Sequence, residues 1–137
     1  MIEISITKEM IPVQQSDETQ TNNGSELQFY GRVRGIEDNQ IIIAIDYEYY
    51  PGMAENELQK LGEKTIDKFA ISKLSCIHRV GKIPVGETSL RIIIWSKHRR
   101  AGLDAMEWFI SQMKKDVPIW KNAILKDSSK ISSKCQC

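Results

Sequence analysis

One segment limits the fold more than any other: Leu90–Ser96, Leu-Arg-Ile-Ile-Ile-Trp-Ser, is apolar on both faces of an extended chain. A strand exposed to water on one side alternates apolar and polar residues, whereas one covered on both sides does not. Leu90–Ser96 is therefore predicted to be a central strand. Around it, Met1–Val13 opens as a short strand with Ile2, Ile4 and Ile6 alternating. Glu26–Arg34 alternates cleanly, with Leu27, Phe29, Gly31 and Val33 on one face and Gln28, Tyr30, Arg32 and Arg34 on the other. Glu37-Asp38-Asn39 reads as a turn and Gln40–Tyr47 as a returning strand, which predicts a hairpin between these two runs. Ile71–Arg79 is a further strand, and Gly81–Glu87 a turn-rich connection.

Two segments carry helical spacing. Pro51-Gly52 opens a helix through Phe69, with Ala54, Leu58, Leu61, Ile66 and Phe69 on one stripe. The second runs over Arg100–Asp116 with Leu103, Met106, Phe109, Ile110 and Met113 inward, and it must stop before Pro118. Strands and helices mix without strict alternation, so the expected class is α+β, an antiparallel or mixed sheet with two helices packed on it. Residues 1–125 are read as one domain. Residues 126–137, rich in Ser and Lys with little to bury, are expected to be a disordered tail.

With a net charge of +1, no bulk polycation drives nucleic-acid or membrane binding, and any anion affinity must come from local clusters. The apolar runs are far shorter than the ~20 residues of a membrane helix, and Met1-Ile2-Glu3-Ile4 does not resemble a secretory signal. Cys76, Cys135 and Cys137 form no disulfide framework, so a reducing, cytoplasmic setting is expected. Cys135-x-Cys137 offers two soft ligands where structural zinc takes about four, and no metal is predicted. Trp95, Phe109 and Trp120 read as core or anchors, which argues against a base-stacking platform and a nucleic-acid partner.

Two basic clusters remain. His98-Arg99-Arg100 stands at the start of the second helix, where positive charge opposes the helix dipole and free N–H groups already favour an anion. These are either solvated end residues with Arg99 paired to a carboxylate, or an oxyanion site with Arg99 as the bidentate fork and His98 as donor. Lys114 borders the apolar stripe one turn beyond Ile110, while Lys115 points nearly opposite, toward water. Lys114 is thus either a partly desolvated anion-binding group or a stem lying along the surface. Pro118-Ile119-Trp120-Lys121 ends the folded part, with Trp120 expected to anchor Lys121. Arg32 serves as an edge charge against aggregation, and Arg34, beside Gly35, is placed to reach over a pocket. His78-Arg79 reads as a satisfied surface pair. Arg99 and Lys114 lie about 22 Å apart along one helix. They therefore form two sites, or two copies pair so that one chain's Arg99 faces the other's Lys114.

Five stretches in order carry a family resemblance: Phe29-x-Gly31-x-Val33-Arg34, Tyr47-x-x-Tyr50-Pro51-Gly52-Met53-Ala54, Ile77-His78-Arg79-x-Gly81 followed by Gly86-Glu87, Ser96-x-His98-Arg99, and Pro118-Ile119-Trp120-Lys121. Together they resemble the catalytic (large) subunit of molybdopterin synthase. The resemblance implies an α/β-hammerhead type fold and a homodimer core of a heterotetramer, with a small ubiquitin-like sulfur-carrier subunit at each end. It also implies transfer of sulfur from that partner's C-terminal Gly-Gly thiocarboxylate to cyclic pyranopterin monophosphate (precursor Z), forming the dithiolene of molybdopterin. Substrate-binding positions carry over to Arg32, Val33, Arg34, His98, Arg99, Lys114 and Lys121, with Lys114 and Lys121 as the catalytic pair. No cofactor is implied, and no catalytic cysteine is needed because the sulfur arrives on the partner. The chain departs from the family at Asn122-Ala123, where a base and a carboxylate are usual, and in its Ser/Lys-rich tail. The alternative is a non-catalytic relative that binds the small subunit or the pterin without turnover.

Overall fold

In the computed structural model, which describes residues 1–19, 21–127 and 129–134, nine strands and two helices follow the chain. The order is β1 (Ile2–Thr7), β2 (Ser25–Arg32), β3 (Ile36–Glu37), β4 (Gln40–Tyr49), α1 (Met53–Lys68), β5 (Ile71–Arg79), β6 (Gly81–Pro84), β7 (Thr88–Ser96), α2 (Arg99–Asp116), β8 (Ile119–Leu125) and β9 (Lys130–Lys134). β7 lies inside a four-stranded sheet of order β1-β5-β7-β2, parallel between β1 and β5 and antiparallel elsewhere. Its residues from Ser89 to Ser96 are all buried. On one face Leu90, Ile92 and Ile94 join Leu58 of α1 and Phe109 of α2 in the core. The opposite face is covered by the chain's own N-terminal segment. There Arg91 Nη1 donates to Pro12 O (2.8 Å), Gln14 N to Tyr30 Oη (2.8 Å) and Asp17 N to Glu26 Oε1 (3.1 Å).

The second sheet has the order β3-β4-β8-β9, with β6 also paired to β4. Here the structure corrects the hairpin expected from sequence. β2 pairs with β7 rather than β4, and the turn at Asp38-Asn39 joins β4 only to the two-residue β3. Both turn residues have positive φ (49° and 62°), the conformation that short side-chain Asp and Asn tolerate best. The connection Gly81–Glu87 contains strand β6, which sits against β4 from Ala44 to Tyr47. Lys130–Lys134, expected within a disordered tail, forms β9 along β8. The chain reverses there because Asp127 Oδ1 accepts from Ser129 N (2.9 Å) and Oγ (2.6 Å). Cys135 and Cys137 lie outside the described residues.

Helix α1 is entered through Gly52 (φ 83°), whose N–H donates to Glu55 Oε1 at 3.0 Å. Helix α2 packs through Gly102, Ala105, Phe109 and Met113, and Leu103, read as inward, is 52% exposed. A Cβ on Gly102 would stand 2.9 Å from Ser96 Oγ and 3.1 Å from Leu27 Cδ1. The two small residues thus let the helix axis approach the sheet, and the packed face turns away from Leu103. Among the described residues no helix is long and apolar enough to cross a membrane.

Candidate active site

Four cationic side chains from three parts of the chain converge on one cavity of about 520 Å³: Arg32, Arg34, Lys114 and Lys121. Glu37 is the one carboxylate among the lining residues, leaving a formal excess of three positive charges, and Phe29, Ile45 and Tyr47 supply apolar wall.

Local structure explains each placement. The β2–β7 register shifts between Gly31 and Arg32, which turns the end of β2 off the ladder. Arg32 Nη1 then donates to Gly86 O (3.3 Å). Val33 is 2% exposed, its N–H donates to Glu87 O (3.1 Å) and its carbonyl accepts from Gly86 N (2.8 Å). The structure therefore places Val33 in the core, where it fixes the backbone between two arginines and lines no part of the cavity. Arg34, beyond the strand, pairs with Glu37 Oε1 at 3.4 Å.

Lys114 occupies the last turn of α2, where a cation complements the negative end of the dipole. It is half-buried while Lys115 is exposed, as the helix-face reading required. Val117, buried at 1% exposure, ends the helix, and β8 returns Lys121 to the same cavity. Lys121 is 9% exposed overall, and its Nζ donates to Glu37 Oε1 at 2.9 Å. Trp120, expected to anchor this lysine, is 42% exposed, because alternation along β8 puts Lys121 inward and Trp120 outward. The anchor is Glu37, which in the sequence presents itself only as a turn residue. Its only signal was position, directly before the Asp38-Asn39 reversal that brings β3 back against β4.

His98 and Arg99 are exposed at the opposite end of α2 and do not line the cavity. His98 is the N-cap residue without a side-chain cap bond, and the first turn holds no acidic residue. Within one chain, then, the two basic clusters stay apart. His78 and Arg79 are not a surface pair. His78 is fully buried, edge-on to Tyr47 with ring centroids 5.2 Å apart, and Arg79 bonds Glu87 at 2.7 Å. Alternation on β5 turns His78 into the core, against the ring of Tyr47. Asn122, the departure noted in sequence, donates to Glu48 (3.2 Å) and accepts from Ser132, joining β8 to both neighbours.

Fold and cavity together define an α+β protein with a cationic site suited to small anionic ligands. Residues 6–116 match the family model described as MoaE protein, and the chain belongs to that family. It is 36% identical over 109 residues to the human protein named molybdopterin synthase catalytic subunit, a match spanning 80% of this chain and 58% of that protein's length. The Dictyostelium discoideum protein of the same name is 34% identical over 118 residues, 85% of this chain and 75% of that one. Among solved structures, the crystal structure of molybdopterin synthase from Staphylococcus aureus superposes with a TM-score of 0.78 at 27% identity, covering 97% of this chain and 96% of that one.

Proposed function

We propose that this chain transfers sulfur from the thiocarboxylated C-terminus of a small ubiquitin-like partner to cyclic pyranopterin monophosphate, building the dithiolene of molybdopterin. The observation that carries this reading is the convergence of Arg32, Arg34, Lys114 and Lys121 on one partly apolar cavity. Both reactants are anionic near their reacting atoms, one a phosphate ester and the other a thiocarboxylate. Family membership supports the same activity, since related proteins carry the name molybdopterin synthase catalytic subunit.

In this reading Lys114 and Lys121 receive the thiocarboxylate and supply protons to departing oxygen, fixed donors aimed where charge develops. Arg34 grips the pterin phosphate with Arg32 beside it. His98 and Arg99 complete the phosphate site from a second copy of the chain, because one copy keeps them about a helix length from Lys114. The nucleophilic sulfur is brought by the partner, so the buried Cys76 has no part in the chemistry.

Reconstitution tests the proposal. The chain, its thiocarboxylated partner and precursor Z are mixed and the dithiolene product is quantified. Stoichiometric product is expected. Binding without product, with a partner competent toward another synthase, would establish the non-catalytic alternative instead.

A further inference from the structure

We infer that Glu37 is a positioning residue that sets Lys121 and Arg34 for the transfer reaction, an inference that rests on the role proposed for Lys121. One oxygen, Glu37 Oε1, accepts from Lys121 Nζ at 2.9 Å and from Arg34 Nη2 at 3.4 Å. Two cations that would otherwise repel are thereby held at a single point on the cavity wall. The side chains of Glu37 and Lys121 are only 18% and 11% exposed, so water screens little of the pairing.

Among the described residues lining this cavity, nothing else does the same work. Ala123 shares the β8 face of Lys121 and offers no acceptor, and Glu37 is the one carboxylate among the residues lining the cavity. The charged or titratable groups lining this cavity with Lys121 are Glu37 from β3, Arg34 from the β2–β3 connection, Tyr30 and Arg32 from β2, Tyr47 from β4 and Lys114 from α2, and Asp38 of the turn lines the neighbouring cavity that Lys121 also borders. Of these, Glu37 is the group that bonds the Lys121 ammonium. Its backbone is fixed by pairing with Gln40 across the Asp38-Asn39 turn, so the carboxylate is delivered by a short, conformationally restricted reversal. A second cavity of about 240 Å³ also borders Arg34, Glu37 and Lys121. The trio therefore forms a partition whose geometry decides which side the ammonium faces.

The test uses the full chain with its small partner, comparing Glu37→Gln, Glu37→Asp and Lys121→Ala under saturating and limiting precursor Z. Glu37→Gln is expected to lower kcat about 10- to 100-fold by misplacing Lys121. KM for the pterin should stay within about twofold, because the Arg34 contact is long, at 3.4 Å, and its side chain is 74% exposed, so Arg34 depends little on Glu37. Glu37→Asp keeps the charge and should recover most of kcat. It also supplies the readout if Glu37→Gln folds poorly. An unchanged kcat in Glu37→Gln beside an inactive Lys121→Ala overturns this inference alone. Full turnover by Lys121→Ala overturns it together with the catalytic role of Lys121.

Discussion

Replacing Lys121 by methionine removes the ammonium and keeps most of the stem's volume, which isolates the pair with Glu37. At 2.9 Å and an effective dielectric of about 20, the gross attraction is about 6 kcal/mol. Desolvation offsets much of that, yet deleting one partner of a buried pair still costs about 3–5 kcal/mol because a charge is left uncompensated. Two features lower the figure. Neither side chain is fully buried, and Glu37 retains Arg34 at 3.4 Å, whose 74% exposed side chain makes that pair worth about 0–1 kcal/mol. A loss of about 2–3 kcal/mol is therefore expected for Lys121→Met. Urea unfolding of Lys121→Met, Glu37→Gln and the double variant closes a thermodynamic cycle. The double variant should be little less stable than either single one, giving a coupling of about 1.5–2.5 kcal/mol. Additive losses, with a coupling below about 0.5 kcal/mol, would mean that the pair does not form in solution and that the partition in the cavity is wrong.

Other outcomes follow from the same structure. Lys114→Ala should abolish turnover while Lys115→Ala leaves it nearly unchanged, since only Lys114 lines the cavity; equal effects in a product assay would refute that division. Burial pushes the Glu26 carboxyl up, but hydrogen bonds from the Asp17 N–H, Ser16, Trp95 and Gln28 outweigh it and hold it below 4.5. Its contribution to stability is then complete above about pH 4.5 and is lost as pH falls through the lower folded value. Melting temperature should drop less between about pH 6 and pH 3 in Glu26→Gln than in the parent. Burial raises the Cys76 thiol to about 12, so thiol reagents at neutral pH should label its peptide only on unfolding. Rapid native labelling, read by peptide mass spectrometry, would show that β5 opens.

Much of the architecture is legible in the sequence because it is written in local periodicity. β5 spans Ile71–Arg79 as read, β7 is interior as its two apolar faces demand, and both helices fall where their stripes place them. What periodicity does not encode is which strand pairs with which. Glu26–Arg34 alternates equally well beside β4 or β7, and adjacency in sequence favoured the wrong neighbour. β6 is four residues ending in proline, and it becomes a strand only because β4 offers it an edge. Leu103 misleads because α2 docks through Gly102 and Ala105, whose value lies in being small rather than apolar. At the cavity the cations were readable from type and spacing. Glu37 was not, since its partner Lys121 is 84 residues away and only the fold brings them together.

The claim on which the functional reading stands is that a working site takes its lysines from one copy and His98 and Arg99 from another. Mixing two inactive chains, Lys121→Ala and Arg99→Ala, with the small partner tests it directly. Free exchange of subunits puts both lesions in one site of each hybrid dimer and leaves its other site intact, so product formation should return to about a quarter of the unaltered rate. No recovery, with hybrid dimers verified by native mass spectrometry, would contradict the composite site.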